Sequence, residues 1–299
     1  MRLSDIQDQI NALPIYGGTI ELPAEQIDGG NGEEVVITKS NVRILGRGMN
    51  MSDASEANTA QAYRAPTQIK YTGSGVAIQI GTATQTTPVY GTELHDFSVR
   101  GTSSGTAGIC VEGNTSTGVL SGRVLIENVD ARDFTAANAC GFDLHYGIGV
   151  TLRRPHAFHN NYGIRVRWGN STTIEDCTVR HNGHGIHAKA FRRLSIGGVI
   201  ESNDGPGVVL SMEDLCEDLQ FSNVWFENNN VVASSDPHAN NAIFICSAVS
   251  GAELNLFGLH GVIFNGGPGG DIWYDPLVVH HIVTGPGRIR WGSGGYYPP

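Results

Sequence analysis

Gly141-Phe142-Asp143-Leu144, Gly163-Ile164-Arg165-Val166, Gly185-Ile186-His187-Ala188 and Gly207-Val208-Val209-Leu210 follow one another at equal steps of 22 residues. A second column keeps nearly the same pace: Asn160, Asn182, Asn203 and Asn228 each close a short apolar-alternating stretch. Between the columns lie Val150-Thr151-Leu152, Thr172-Thr173-Ile174, Leu194-Ser195-Ile196 and Leu219-Gln220-Phe221. Each unit reads as three strands of about 3–5 residues separated by turns. Helical repeats need longer units, about 33–34 residues for ankyrin and TPR. Gly, Asn, Thr and Val favour turns and strands instead. Three short strands per turn make a parallel β-helix, whose coils stack about 4.8 Å apart. Asn tolerates the left-handed backbone of sharp turns, and stacked Asn amides hydrogen-bond from coil to coil.

The pattern extends both ways. Gly108-Ile109-Cys110-Val111 precedes it, and Ala242-Ile243-Phe244-Ile245 follows a polar insertion at 231–241. Val35-Val36-Ile37 with Val42-Arg43-Ile44-Leu45 reads as the first coil. Eight or nine coils give a rod of about 40 Å. A coil stack needs caps, because its terminal coils expose apolar core and strand edges. Leu3, Ile6, Ile10 and Leu13 follow helical spacing, and Ser4 with Gln7 has a capping-box pattern, so residues 4–13 read as a cap helix. The expected organisation is one domain: cap at 1–16, coils at 17–265, and an irregular C-terminal cap or oligomer contact at 266–299, which carries Trp273, Tyr274, Trp291, Tyr296 and Tyr297. Gly17-Gly18-Thr19-Ile20-Glu21-Leu22-Pro23-Ala24 resembles the entry segment of pectate-lyase-like β-helix proteins. The resemblance implies an all-β, single-stranded, right-handed parallel β-helix.

Composition agrees. The 299 residues include 40 Gly but only 12 Pro, and 16% are charged, which argues against disorder. The net charge of −10 argues against a nucleic-acid partner. No apolar run approaches the roughly 18 residues of a membrane span. Met1-Arg2-Leu3-Ser4-Asp5 turns polar at once, unlike a signal peptide; a secreted or virion-associated protein, monomeric or homotrimeric, is expected. The five Cys form no CxxC and read as small buried residues.

Strand residues alternate in and out. With Phe142, Leu144, Ile164, Val166, Ile186, Ala188, Val208 and Leu210 inside, consecutive coils present Asp143 and His145, then Arg165 and Arg167, then His187 and Lys189. Glu112 and Glu213 flank them. Residues 153–193 hold eight Arg or Lys and two acids. A basic strip on an acidic chain points to an anionic ligand. Uronate polysaccharides carry a carboxylate about every 5 Å, close to the coil spacing, and Arg binds carboxylates bidentately. Neutralising that carboxylate acidifies the C5 proton. A base then removes it, and reprotonation of the leaving oxygen or of the opposite face gives a lyase or a C5-epimerase. His145 suits the base, Lys189 could serve if depressed by nearby Arg charge, and Tyr146 is a partner acid.

Gly141-Phe142-Asp143-Leu144-His145 resembles the Gly-Phe-Asp-Pro-His segment of bacterial alginate C5-epimerases. The resemblance implies active-site roles for Asp143 and His145. Cys140 stands where that family has Tyr, and Leu144 where it has Pro. The expected catalytic set is His145, Asp143, Arg167 and Lys189, with Arg165, His187, Glu112, Tyr146, Trp168 and Glu213 binding substrate. Two alternatives are a glycoside hydrolase using Asp143 and Glu112, and a non-catalytic tailspike- or adhesin-type glycan binder. No cofactor is expected. His181, His184 and His187 could bind a metal, but two of them fall in a turn. A Ca²⁺ site would need clustered acidic oxygens, which so basic a strip does not offer.

Overall fold

The computed structural model describes residues 1–49, 66–213, 216–229, 242–247, 253–265, 272–274 and 279–284. Parallel strands climb coil by coil, as in the stack of Phe142, Ile164, Ile186, Val208 and Ile243. The described strands form sheets of 14 and 11 strands. The inward side chains of both sheets, Val99, Ala131, Ala157 and Val179 among them, merge into one buried core. Cys110, Cys140, Cys177 and Cys216 are buried and unbridged.

Single left-handed residues turn the corners. One corner is Asp96, Asn128, Arg154, Asp176, Gly198 and Asn223 in successive coils, with φ between 48° and 124°. So short a corner barely interrupts the pairing. Leu125–Arg132, Thr172–Arg180 and Leu219–Glu227 therefore run 8 to 9 residues across two faces, longer than the sequence spacing suggests.

A second corner is Asp133, His159, His181, Ser202 and Asn228, with φ from 47° to 66°. The residue after it carries the Asn ladder. Nδ2 of Asn160 donates to Oδ1 of Asn182, Asn182 to Asn203, and Asn203 to Asn229, at 3.0, 3.0 and 2.8 Å. The left-handed role and the ladder role thus belong to neighbouring residues, and the fourth rung is Asn229 rather than Asn228. The Gly column is the ladder's steric counterpart. A Cβ on Gly141, Gly163 or Gly185 would sit 2.2–2.8 Å from the carbonyl oxygen of the next Gly and 2.9–3.1 Å from a ladder amide. Only Gly lets the coils stack there.

The cap helix spans Leu3–Ala12 and buries Leu3, Ile6 and Ile10 on the end of the core. Its first turn is held by Asp5, whose carboxylate accepts the Arg2 backbone N–H at 2.7 Å. The expected Ser4–Gln7 box does not form. Gln7 instead pairs like a strand with Val36: Oε1 accepts the Val36 N–H at 2.6 Å and Nε2 donates to the Val36 carbonyl at 3.2 Å. The helix thereby closes the edge of the first coil. Gly18–Glu21 already pairs with Val42–Leu45. At the other end, Ile272–Tyr274 and Val279–Thr284 still pair with the coils before them, past residue 265. The insertion at 231–241 and Trp291, Tyr296 and Tyr297 lie outside the described residues.

Candidate active site

Strand Cys140–Ile148 lies between Ala107–Glu112 and Tyr162–Asn170. Asp143 sits opposite Cys110 on one side and Arg165 on the other. His145 sits opposite Glu112 and, across a register break, Trp168. Arg167 is the extra residue in that break. The regular alternation expected from sequence puts Arg167 beside His145; the bulge puts Trp168 there and turns the Arg167 guanidinium to Asp143. Tyr146 is the compensating extra residue on its own strand, with φ of 61°. Its ring meets Trp168 at 4.5 Å between centroids, tilted by 37°. Bulges commonly re-aim side chains beside functional sites.

Asp143 is only 4% exposed and accepts two guanidinium forks. Arg165 gives Nε and Nη2 at 3.2 and 2.9 Å, and Arg167 gives Nε and Nη2 at 3.0 and 2.9 Å. Burial by itself pushes the Asp143 carboxyl up; the two guanidiniums outweigh it and hold the group below the usual carboxylate range. Asp143 is therefore a fixed anion. It is not the protonated acid that a two-carboxylate hydrolase requires.

His145 Nδ1 lies 3.2 Å from Glu112 Oε1. With an ionised Glu112 as acceptor, Nδ1 carries the proton and Nε2 presents its lone pair. Gln79 Nε2 donates to the other Glu112 oxygen at 3.2 Å, so three successive coils orient one imidazole. Both His145 and Glu112 are partly exposed.

Lys189 bonds Glu213 at 2.5 Å. His187 Nε2 lies 2.6 Å from the Ser211 hydroxyl. Burial lowers the His187 pKa to about 4, with Lys189, His184 and Arg165 adding to the effect, so this ring is neutral at neutral pH. His184 and His187 both stack on Tyr162, at 5.0 and 5.2 Å. Among the described residues no three His, Cys, Asp or Glu side chains converge to hold a metal ion. The strip is thus charge-matched rather than basic: Asp143, Glu112 and Glu213 face Arg165, Arg167 and Lys189. Glu112 and His145 fall in one outward column on adjacent coils, so their neighbourhood is readable from sequence, although the expectation there made Glu112 a substrate-binding residue. The bulge at Arg167 has no sequence signal, because Val166-Arg167-Trp168 reads as an ordinary alternating strand.

Residues 76–257 match the family model described as the right-handed β-helix region. The chain belongs to that family. No curated protein matches it by sequence. Among solved structures it is similar to the A-module of the Azotobacter vinelandii mannuronan C-5 epimerase AlgE4, at 15% identity over 94% of this chain and 91% of that one, with a TM-score of 0.51. The AlgE6 A-module of the same organism gives 15% identity over 96% of both chains and a TM-score of 0.49. An alginate lyase from Paenibacillus sp. gives 12% identity over 93% and 97%, with a TM-score of 0.44. At these identities the likeness is one of fold. Among the described residues no helix is long and apolar enough to cross a membrane.

Proposed function

We propose that this protein acts on an acidic, uronate-containing polysaccharide by abstracting a C5 proton, as a polysaccharide lyase or a C5-epimerase. The observation that carries the reading is the His145–Glu112 dyad beside a buried double-arginine anchor and an aromatic pair. Arg167 has Nη1 left over after its fork to Asp143, and that N–H meets the substrate carboxylate. His145 Nε2 takes the C5 proton, and the C–H electron pair moves into an enolate on the carboxylate. Tyr146 supplies the second proton. If it goes to the O4 leaving oxygen, the C4–O bond breaks and a C4=C5 double bond forms. If it goes to the opposite face of C5, the configuration inverts. Trp168 and Tyr146 present ring faces on which sugars stack. Lys189, His187 and Glu213 flank this centre, and a polysaccharide substrate suits a secreted or virion-borne protein.

The test is a panel of acidic polysaccharides read by ultraviolet absorbance for the unsaturated product and by anomeric NMR for inversion. His145→Ala loses at least about 10²-fold in kcat, the usual range for a general base. Lys189→Ala changes kcat far less. Full activity in His145→Ala, or binding of every polymer with turnover of none, sinks the enzymatic reading and favours a glycan-binding module.

A further inference from the structure

The proposed site contains little free positive charge, and that bears on its substrate. Arg165 has every guanidinium nitrogen engaged: Nε and Nη2 on Asp143, and Nη1 on the Asn138 carbonyl at 3.1 Å. Lys189 is held by Glu213. His187 bonds Ser211 and is uncharged at neutral pH. Between the two arginines, Arg167 Nη1 is the one nitrogen that no hydrogen bond to protein occupies among the described residues. The acids sit at the two ends of the strip. Glu112 lies one coil before Asp143, and Glu213 follows Lys189 in the coil beyond it. A run of adjacent uronates, with a carboxylate about every 5 Å, would find no unpaired cation for its flanking charges in this strip among the described residues, because Glu213 neutralises Lys189 and Glu112 occupies the other end. An uncharged ring instead meets the Tyr146–Trp168 pair, whose affinity for sugar C–H faces needs no charge.

We propose that the site accepts a single carboxylate, that of the reacting uronate, and that its substrate is a polysaccharide in which neutral sugars flank each uronate. This rests on the C5-proton reading above. It narrows that reading from polyuronates in general to alternating acidic polymers.

The experiment compares, on the intact protein, glucuronate and galacturonate homopolymers with polymers alternating the same uronates with an uncharged sugar. Turnover and equilibrium binding are both measured, the binding on His145→Ala as well. The expected result is kcat/KM at least about tenfold higher on an alternating polymer, changing less than about twofold between roughly 50 and 200 mM salt, because few ion contacts form. Glu213→Gln narrows the gap by improving the homopolymer. Equal or better turnover of a homopolymer, or a tenfold or greater fall with salt, overturns the proposal while leaving C5 chemistry intact. Salt-insensitive binding of the alternating polymers without turnover does the reverse: the single-carboxylate site stands and the C5 chemistry fails. Binding of none of the four overturns both.

Discussion

Asp143 and Glu112 are both carboxylates on neighbouring coils, yet their surroundings give them opposite work. Asp143 is buried under two guanidiniums, so its charge is structural. Asp143→Asn leaves two partly buried cations facing a neutral amide and costs about 3 kcal/mol, as for other broken buried pairs. The sign with pH follows from the depressed native pKa. The carboxylate's contribution is complete above its unfolded pKa of about 4 and is lost as pH falls through the native value. Urea titrations should therefore show the gap between wild type and Asp143→Asn flat near neutrality and closing below about pH 4. A gap that widens in acid would refute the assignment. Glu112, by contrast, orients His145 without being buried beneath it. Glu112→Gln should lower kcat by about 10²-fold with KM little changed, because the imidazole loses its orienting anion and not its contact with substrate. A rise in KM at constant kcat would instead make Glu112 a binding residue. Residue identity along the outward columns was enough to pick out Asp143, His145 and Glu112. Which carboxylate serves as anchor and which as orienter depends on burial and on a bulge, and neither leaves a mark in the sequence.

Among the elements, the Asn ladder shows what a periodic column can and cannot reveal. Its pace, 22 and then 21 residues, is plain in Asn160, Asn182 and Asn203. The fourth rung shifts because Asn228 and Asn229 are both Asn, and only the backbone decides which one turns the corner. The cap was legible as a helix from Leu3, Ile6 and Ile10, whereas the strand-like grip of Gln7 on Val36 was not, since a polar residue on a helix gives no hint of a distant partner. Asn182 is the central rung. Its Oδ1 accepts the Asn160 N–H and Nδ2, and its Nδ2 donates to the Ala157 and Arg180 carbonyls and to Asn203 Oδ1. Asn182→Ala strands buried donors at about 1–3 kcal/mol each, so denaturant unfolding should show a loss of about 3 kcal/mol. Asn182→Asp should lose more, because a carboxylate there meets carbonyl oxygens and cannot donate. Near-neutral behaviour of both variants would mean that the ladder contributes geometry and no stability.

At the scale of the whole molecule, each coil contacts chiefly the coils before and after it, so stability is close to a sum of coil and neighbour terms. A consequence is that the coil, not the residue, is the unit that can be removed. Deleting residues 185–206 joins His184 to Gly207, which occupies the same place one coil on, opposite Gly163 and in line with the Ile164, Ile186 and Val208 stack. The inward set is conserved, the ladder passes from Asn182 to Asn229, and the His145–Glu112 and Asp143 constellations are untouched. The shortened protein should fold, keep the β-sheet circular dichroism of the parent and unfold cooperatively at somewhat lower denaturant. Deleting residues 185–195 removes half a coil. It brings Ile196 to the place of Gly185, where a Cβ has no room, and Gly197 to that of Ile186, and it sets the next corner and the next Asn on the wrong faces, so the stack above it cannot pair. That variant should be insoluble or lack the native spectrum. If the half-coil deletion folded as well as the full-coil deletion, the strict registry of Gly column, corner and ladder would not be what holds the stack together.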